Sequence, residues 1–391
     1  MNMRRLFALL HGWLGAVSAL FVLIVALSGA ALAFVDEMFL AQYGDILRAE
    51  SPSRQAEPLG LESLIAGAKA GYGEFLPTGA LMPHSRIADA ETALVFGMPP
   101  GAQSVDDLHM FSVDPWTGAF KGDFPLRSAF GHEFIEFHYS LLLGPSGAVF
   151  VCVIGMLLLA FIATGLWLWW PRNGSAWRKA TRLNLRGGIA QALFAVHGLG
   201  GVWLAVLILF FTFTGVGLRQ PNWFGPLLSA TQYAPPPSAG FERACEGSIS
   251  PDAAIAAAVA ATPVPGRSLA TAYVPNELSN ASNMYMLTLR AAGDRNLIEG
   301  DARVFVHASC EGLVHVDDAR AAAPPARVTS MLLSLHGGYS FGPYLGDLLV
   351  LVTGLGLAVL SASGIVVFLT RTLRIPLRFG DAAKLRSSES A

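Results

Sequence analysis

Apolar residues fill four long stretches of the chain almost without a break, and the pattern between them is of another kind. Asp, Glu, Lys and Arg are absent from Leu6–Val35, Phe137–Pro171 and Gly187–Leu218, and Asp347 is the one exception in Val328–Thr370. Each stretch exceeds the roughly 20 apolar residues that carry a helix across a bilayer. A helix also satisfies its own backbone in lipid. The segments between spans one and two, and between three and four, hold short alternating runs: "TALVFGM", "LHMFSVD", "MYMLTLR" and "RVFVHAS". Alternation of this kind predicts strands. A helical candidate precedes each set, at Leu59–Ala70 and Pro251–Ala261, and Pro-rich linkers such as "YAPPPSAG" and "RAAAPPAR" flank them.

The pattern also repeats. "LHGWLGAVSALFVLIVALSGAALA" from Leu10 aligns with "VHGLGGVWLAVLILFFTFTGVGLR" from Val196, placing His11 on His197 and Ser28-Gly29 on Thr214-Gly215. "FHYSLLLGPSG" from Phe137 aligns with "LHGGYSFGPYL" from Leu335, placing His138 on His336, and "ATGLWLWWPR" and "ASGIVVFLTR" close the two halves. The expected fold is therefore membrane α-helical: four transmembrane helices in two parallel repeats, each with an inserted small α+β domain. The spans are expected at 6–35, 137–171, 187–218 and 329–370, the last including a preceding interfacial segment. The inserted domains take 36–136 and 219–328, with a short loop at 172–186 and a tail at 371–391. "AALA" before Phe34 resembles a signal-peptide cleavage site. The apolar run is about twice the usual signal core, and its repeat argues that it is retained as a span.

Composition agrees, with 53% hydrophobic and only 14% charged residues. Charge sets the expected orientation. The N-terminus (Arg4, Arg5), the short loop (Arg172, Arg178, Lys179, Arg182, Arg186) and the tail (Arg371, Arg374, Arg378, Lys384, Arg386) hold 12 bases against 2 acids, and the two long segments are acid-rich. The positive-inside rule places both termini and the short loop in the cytoplasm of a multi-pass inner-membrane protein, with the long segments in the periplasm. A net charge of -2 gives no sign of a nucleic-acid partner.

Four histidines stand where the pattern is otherwise apolar. His11 lies six residues past Arg5, so about 9 Å deep at 1.5 Å per residue. His197 is its repeat mate. His138 and His336 stand at the outer ends of the other two spans. From His138 to Trp170 an unbroken helix would run about 48 Å, more than a bilayer needs, so Gly144-Pro145 is expected to break it. A lone intramembrane histidine is often only a helix–helix hydrogen-bonding group. Two symmetric pairs point to two haems b with two axial imidazoles each, a six-coordinate arrangement suited to electron transfer. Gly12, Gly15, Gly198, Gly201 and Gly337 would let a flat ring approach the backbone, although small residues also serve plain helix packing. Arg4, Arg5 and Arg186 are candidates for the propionates. His132, six residues before His138, is the alternative ligand or a supporting group. His84, His109, His307 and His315 read as surface residues of the exported segments. Cys152 reads as a buried thiol. Cys245 and Cys310 share an exported segment and form either a disulfide or two thiols.

"RRLFALLHGWLG", "HEFIEFHYSLLLG…TGLWLWWPR", "FAVHGLGG" and "LHGGYSFGP" resemble the PepSY-associated transmembrane family over nearly the whole chain. "VDPWTGAF" is similar to the Asp-x-x-Thr-Gly hairpin of PepSY domains, from which "HASCEGLV" in the second segment departs. The resemblance implies PepSY-like periplasmic domains, His11, His138, His197 and His336 as haem ligands, and a haem-dependent ferric-siderophore reductase of the iron-regulated inner-membrane type. That activity serves iron uptake by releasing Fe(II) from a periplasmic chelate. The cytoplasmic parts are too short for a flavin domain, so quinol or a soluble cytoplasmic reductase is the expected donor. Two other functions compete: a non-enzymatic PepSY protein that binds or regulates a periplasmic peptidase or ligand, and a siderophore or metal permease subunit. A permease needs a polar midplane path, for which Thr164, Thr212, Thr214 and Ser361 are the candidates.

Overall fold

The computed structural model describes residues 3–50, 57–84, 90–171, 173, 177, 181, 189–228, 241, 245–276, 283–310 and 312–374. Most of the basic residues invoked for orientation, namely Arg172, Arg178, Lys179, Arg182, Arg186, Arg378, Lys384 and Arg386, lie outside the described residues. Helices long and apolar enough to cross a membrane occur at Met3–Leu47, Gly144–Trp169, Ile189–Arg219 and Tyr344–Thr372. Large apolar side chains point outward along them, with Val17 71%, Trp203 76% and Val206 75% exposed. Such exposure suits lipid and would be costly in water. The protein is a multi-pass membrane protein with an added β-sheet region.

The chain divides into two compact units. The first comprises Met1–Ala30, Val153–Phe213 and Leu351–Ala391. It contains most of α1 (Met3–Ala31) and the greater parts of α5 (Gly144–Trp169), α6 (Ile189–Arg219) and α9 (Pro343–Val367). Gly354 lets α9 meet α1 closely, because a Cβ there would lie 2.8 Å from the Ala26 carbonyl oxygen and 2.8 Å from the Ala30 Cβ.

The second unit comprises Ala31–Cys152 and Thr214–Val350. Its centre is one antiparallel sheet in the order β4-β3-β2-β1-β5-β6-β7-β8. The first meander is β1 (Leu76–Leu81), β2 (Ala93–Met98), β3 (His109–Val113) and β4 (Phe120–Pro125). The second is β5 (Ser268–Tyr273), β6 (Met284–Arg290), β7 (Ala302–His307) and β8 (Val314–Asp318). The two exported segments are thus joined edge to edge through β1 and β5, with Ala80 opposite Ala272. Helices α3 (Leu61–Tyr72) and α7 (Pro251–Ala261) cover one face and share a core with both meanders, from Leu64 and Val95 to Leu287 and Val304. Helix α2 (Val35–Leu47) packs Phe39 and Leu47 on the other face of the first meander, against Leu94, Phe96 and Phe124. β2 is therefore buried on both faces, so the one-sided burial that an alternating run predicts does not hold for it.

Side chains tie the meanders further. The Asp252 carboxylate, in the first turn of α7, accepts from the Leu61 amide at 2.6 Å and so caps α3. Asp114 accepts from the amides of Trp116 and Thr117, both at 2.9 Å, and Gly118 takes φ 73°. These contacts are the physical basis of the "DPWTG" turn. The second meander achieves the same turn differently. His307 is 1% exposed, not a surface residue, and its Nδ1 accepts from the amides of Ser309 at 3.1 Å and Cys310 at 2.9 Å. An imidazole thus replaces the aspartate as turn cap, and that chemistry explains why "HASCEGLV" departs from the Asp-x-x-Thr-Gly pattern.

Cys245 and Cys310 form a disulfide across a separation of 65 residues, and Cys152 is free and buried. The bond pins the chain before α7 to the β7–β8 turn. Closing a loop of that size stabilises a fold by about 2–4 kcal/mol. Reductant should therefore lower the thermal unfolding temperature of the wild type. Cys245→Ser and Cys310→Ser should show the same lowered value and no further response to reductant. An unfolding temperature of the wild type that ignores reductant would contradict the disulfide's role.

Candidate functional site

The inner pair is His11 on α1 and His197 on α6, with ring centroids 6.4 Å apart and ring planes at 80°. Each ring is held through Nδ1. His11 Nδ1 lies 3.0 Å from the Thr164 hydroxyl on α5. His197 Nδ1 lies 2.9 Å from the Leu360 carbonyl oxygen and 3.3 Å from the Ser363 hydroxyl, both on α9. Phe161 packs edge-on against His11 at 5.7 Å. Thus all four long helices contribute to the pair. Glycines flank it. A Cβ on Gly15 or Gly201 would meet nothing within 4 Å, so the space beside the rings is open there. Of the basic residues considered for this end, Arg4 donates to the Leu168 carbonyl at 2.5 Å. Arg371 stacks over Phe194 at 3.6 Å, a cation–π contact.

The outer pair is His138 and His336, with centroids 6.1 Å apart and planes at 35°. His138 is in the last turn of α4 (Phe130–Ser140), and His336 is the last residue of α8 (Pro324–His336). Both helices stop before the spans begin, so the expected break near Gly144-Pro145 is present. Leu141, Leu142 and Gly144 take positive φ of 53°, 59° and 59°, and the second segment does so at Gly338 and Gly342, both at 82°. His336 Nδ1 lies 3.2 Å from the Thr214 hydroxyl. Gly215 gives the ring its room, since a Cβ there would come within 2.6 Å of His336 Cε1.

His132 is not part of the pair. Its Nε2 lies 3.8 Å from Glu136 on the same helix. Glu136 accepts from the Tyr139 hydroxyl at 3.2 Å, and Arg219 covers the Tyr139 ring at 4.5 Å. Among the described residues no group of three or more His, Cys, Asp and Glu is placed to hold a metal ion. The histidines come in twos. A pair of imidazoles suits a metal whose other ligands come from a macrocycle better than it suits a bare cation, which would need more protein donors. The sequence did not single out Thr164 and Thr214 as histidine partners, and their apparent role in a polar path rested on their being polar in apolar spans. In the structure both bond to histidines. The available signal was their position, each directly before a glycine in a repeated segment.

The family described as the PepSY-associated TM region matches residues 8–371, and the chain belongs to that family. An uncharacterised Pseudomonas aeruginosa protein, PA4219, is 35% identical over 96 residues, which is 25% of this chain and 23% of that protein. The matched stretch therefore spans less than a quarter of the relative's length.

Burial holds the His132 imidazole below its ordinary value, opposed by Glu136 and Glu133 and assisted by Arg127. The folded state therefore favours neutral His132. Its stabilising contribution is present above the ordinary value of about 6.5 and is lost as pH falls through the lowered one. Thermal unfolding of His132→Gln between pH 8 and 5 should show a shallower acid-side loss than the wild type. Parallel curves would mean that His132 does not contribute to the acid response.

Proposed function

We propose that this protein is a di-haem transmembrane electron carrier that reduces a ferric chelate, such as a ferric siderophore, on the periplasmic side of the inner membrane and so frees Fe(II). The observation that carries this reading is the spacing of the two histidine pairs. Two imidazoles sharing one metal, each with a metal–nitrogen bond of about 2 Å and about 1.1 Å from nitrogen to ring centre, would stand about 6.2 Å apart. In the structure the separations are 6.4 Å and 6.1 Å. Bound haem would supply a one-electron iron couple with no open position for oxygen.

The chain's own residues hold and orient. His11 with His197, and His138 with His336, are the ligand pairs. Gly15 and Gly201 leave open space for a flat ring, whereas a Cβ on Gly12 or Gly198 would touch Phe368 or Trp169, and apolar helices exclude water around the pair. The two segments are read as a duplication, in parallel repeats about an axis along the membrane normal. Three likenesses support this: the aligned histidines, the two four-stranded meanders meeting at β1 and β5, and the two covering helices. Two independent features support a periplasmic sheet. Bases concentrate in the termini and short loop, and the Cys245–Cys310 disulfide suits an oxidising compartment. The donor on the inner side is quinol or a soluble cytoplasmic reductase.

Purified protein should carry two haems b per chain and show a sharp α-band on reduction. His11→Ala and His197→Ala should each lose one haem, His138→Ala and His336→Ala should lose the other, and His132→Ala should keep both. A folded but colourless preparation, or full haem content in all four variants, would end this reading.

A second measurement addresses the substrate. Vesicles with reductant inside and a ferric chelate outside should release Fe(II) to an external Fe(II)-specific chelator. Release should stop in His11→Ala. Haem-loaded protein that reduces no ferric chelate would leave the carrier and remove the acceptor.

A further inference from the structure

We propose that Thr164-Gly165, Ser363-Gly364 and Thr214-Gly215 are positioning dipeptides that each seat one histidine of the two pairs, the hydroxyl fixing the ring's Nδ1 and the glycine receiving its Cε1 edge. The proposal deepens the haem reading above and rests on it for the identity of the bound group.

The hydroxyl half follows from hydrogen-bond inventory. Thr164 donates its own proton backward along α5 to the Ala160 carbonyl at 2.8 Å, as serine and threonine in apolar helices commonly do. Its oxygen is then left to accept, so His11 Nδ1, 3.0 Å away, carries the proton. For His197 the inventory is stricter, because the Leu360 carbonyl at 2.9 Å can only accept. Ser363 donates to that same carbonyl at 3.0 Å. Both inner rings are therefore Nδ1–H tautomers, and Nε2 is the nitrogen with a lone pair to offer a metal. Metal-binding histidines are oriented in this way by a partner on the other ring nitrogen.

The glycine half follows from space. A Cβ at Gly165 would lie 3.3 Å from His11 Cε1, one at Gly364 3.1 Å from His197 Cε1, and one at Gly215 2.6 Å from His336 Cε1. In all three cases the hydroxyl residue directly precedes the glycine, and in all three it bonds Nδ1 of the same ring. Composition alone does not make the arrangement. Thr353-Gly354 has the same composition, but its glycine faces the α1 backbone at Ala26 and Ala30 and serves helix packing.

An Nδ1–H bond to an oxygen raises the donor strength of Nε2 and favours ferric over ferrous iron. Thr164→Val removes that oxygen while keeping the side chain's shape. It should raise the midpoint potential of the inner haem alone and loosen that haem on the order of 10-fold or more. Thr164→Ser should restore both. Thr214→Val should move the outer haem alone. Ser363→Ala should have a smaller effect than Thr164→Val, because the Leu360 carbonyl remains to receive the His197 proton. The unshifted haem in each variant serves as the internal control for folding. Wild-type protein with two haems, and both potentials unchanged in Thr164→Val and Thr214→Val, would overturn the proposal and leave the haem reading standing. If the wild type binds no haem, that reading falls instead. The positioning claim is then decided by 15N-histidine NMR of the haem-free protein, with His11→Gln and His197→Gln identifying the two signals. Nδ1–H tautomers at both sites support it, and Nε2–H tautomers overturn it.

Discussion

An imidazole inside an apolar helix bundle has two nitrogens to satisfy and little water to satisfy them with. Leaving a buried polar group without a partner costs on the order of 1–3 kcal/mol, and that cost organises the rest of the bundle. His11 and His197 resolve one nitrogen each by reaching a different neighbouring helix, Thr164 on α5 and Leu360 with Ser363 on α9. Their rings then face each other at 6.4 Å. The same contacts that satisfy the polar atoms set the register of four apolar helices, whose lipid-like side chains would otherwise pack in many nearly equivalent ways. Structural satisfaction and the facing of the two rings, on which the proposed metal role rests, are therefore products of one arrangement.

The sheet obeys a different constraint. A four-stranded meander with an open edge invites pairing with another chain. Here each meander closes the other's inner edge through β1 and β5. Those strands carry small residues where their backbones meet. A Cβ on Gly79 would lie 2.2 Å from the Ala272 carbonyl oxygen. The helix cap from Asp252 to Leu61 crosses the same seam, so the seam is fixed by backbone pairing and by a charge at a helix start.

These two constraints explain what was legible in the sequence. The spans were plain, because a bilayer demands long runs of one composition. The four histidines stood out against those runs, and the repeat supplied each with a mate. The strands β2, β3, β6 and β7 showed as alternating runs. β1 ("LPTGAL") and β5 ("SLATAY") did not show, because a seam built on close backbone approach is written in Gly, Ala and Thr, which carry little hydrophobic signal. His307 read as a surface residue because turn-capping by imidazole has no sequence signature comparable to "DPWTG". Thr164 and Thr214 read as isolated polar groups, since their meaning depends on which ring sits opposite, and that depends on helix rotation.

The outer pair shows what placing a histidine at a helix end requires. Running α4 straight into α5 would carry His138 along the span's own axis. Stopping α4 at Ser140 lets the histidine helix point independently of the span. Both segments have a positive-φ glycine where the span begins, Gly144 and Gly342, and the second adds Gly338. In the first, Leu141 and Leu142 adopt the left-handed conformation, which costs about 1–2 kcal/mol per non-glycine residue. Glycine would avoid that cost but would bring no side chain. Leu142 is 52% and Leu143 65% exposed, immediately before an apolar span begins. Moving a leucine side chain from water into an apolar layer returns about 1.5–3 kcal/mol. Leu142 is both left-handed and half exposed, so transfer of its own side chain into such a layer offsets part of the cost of its backbone conformation.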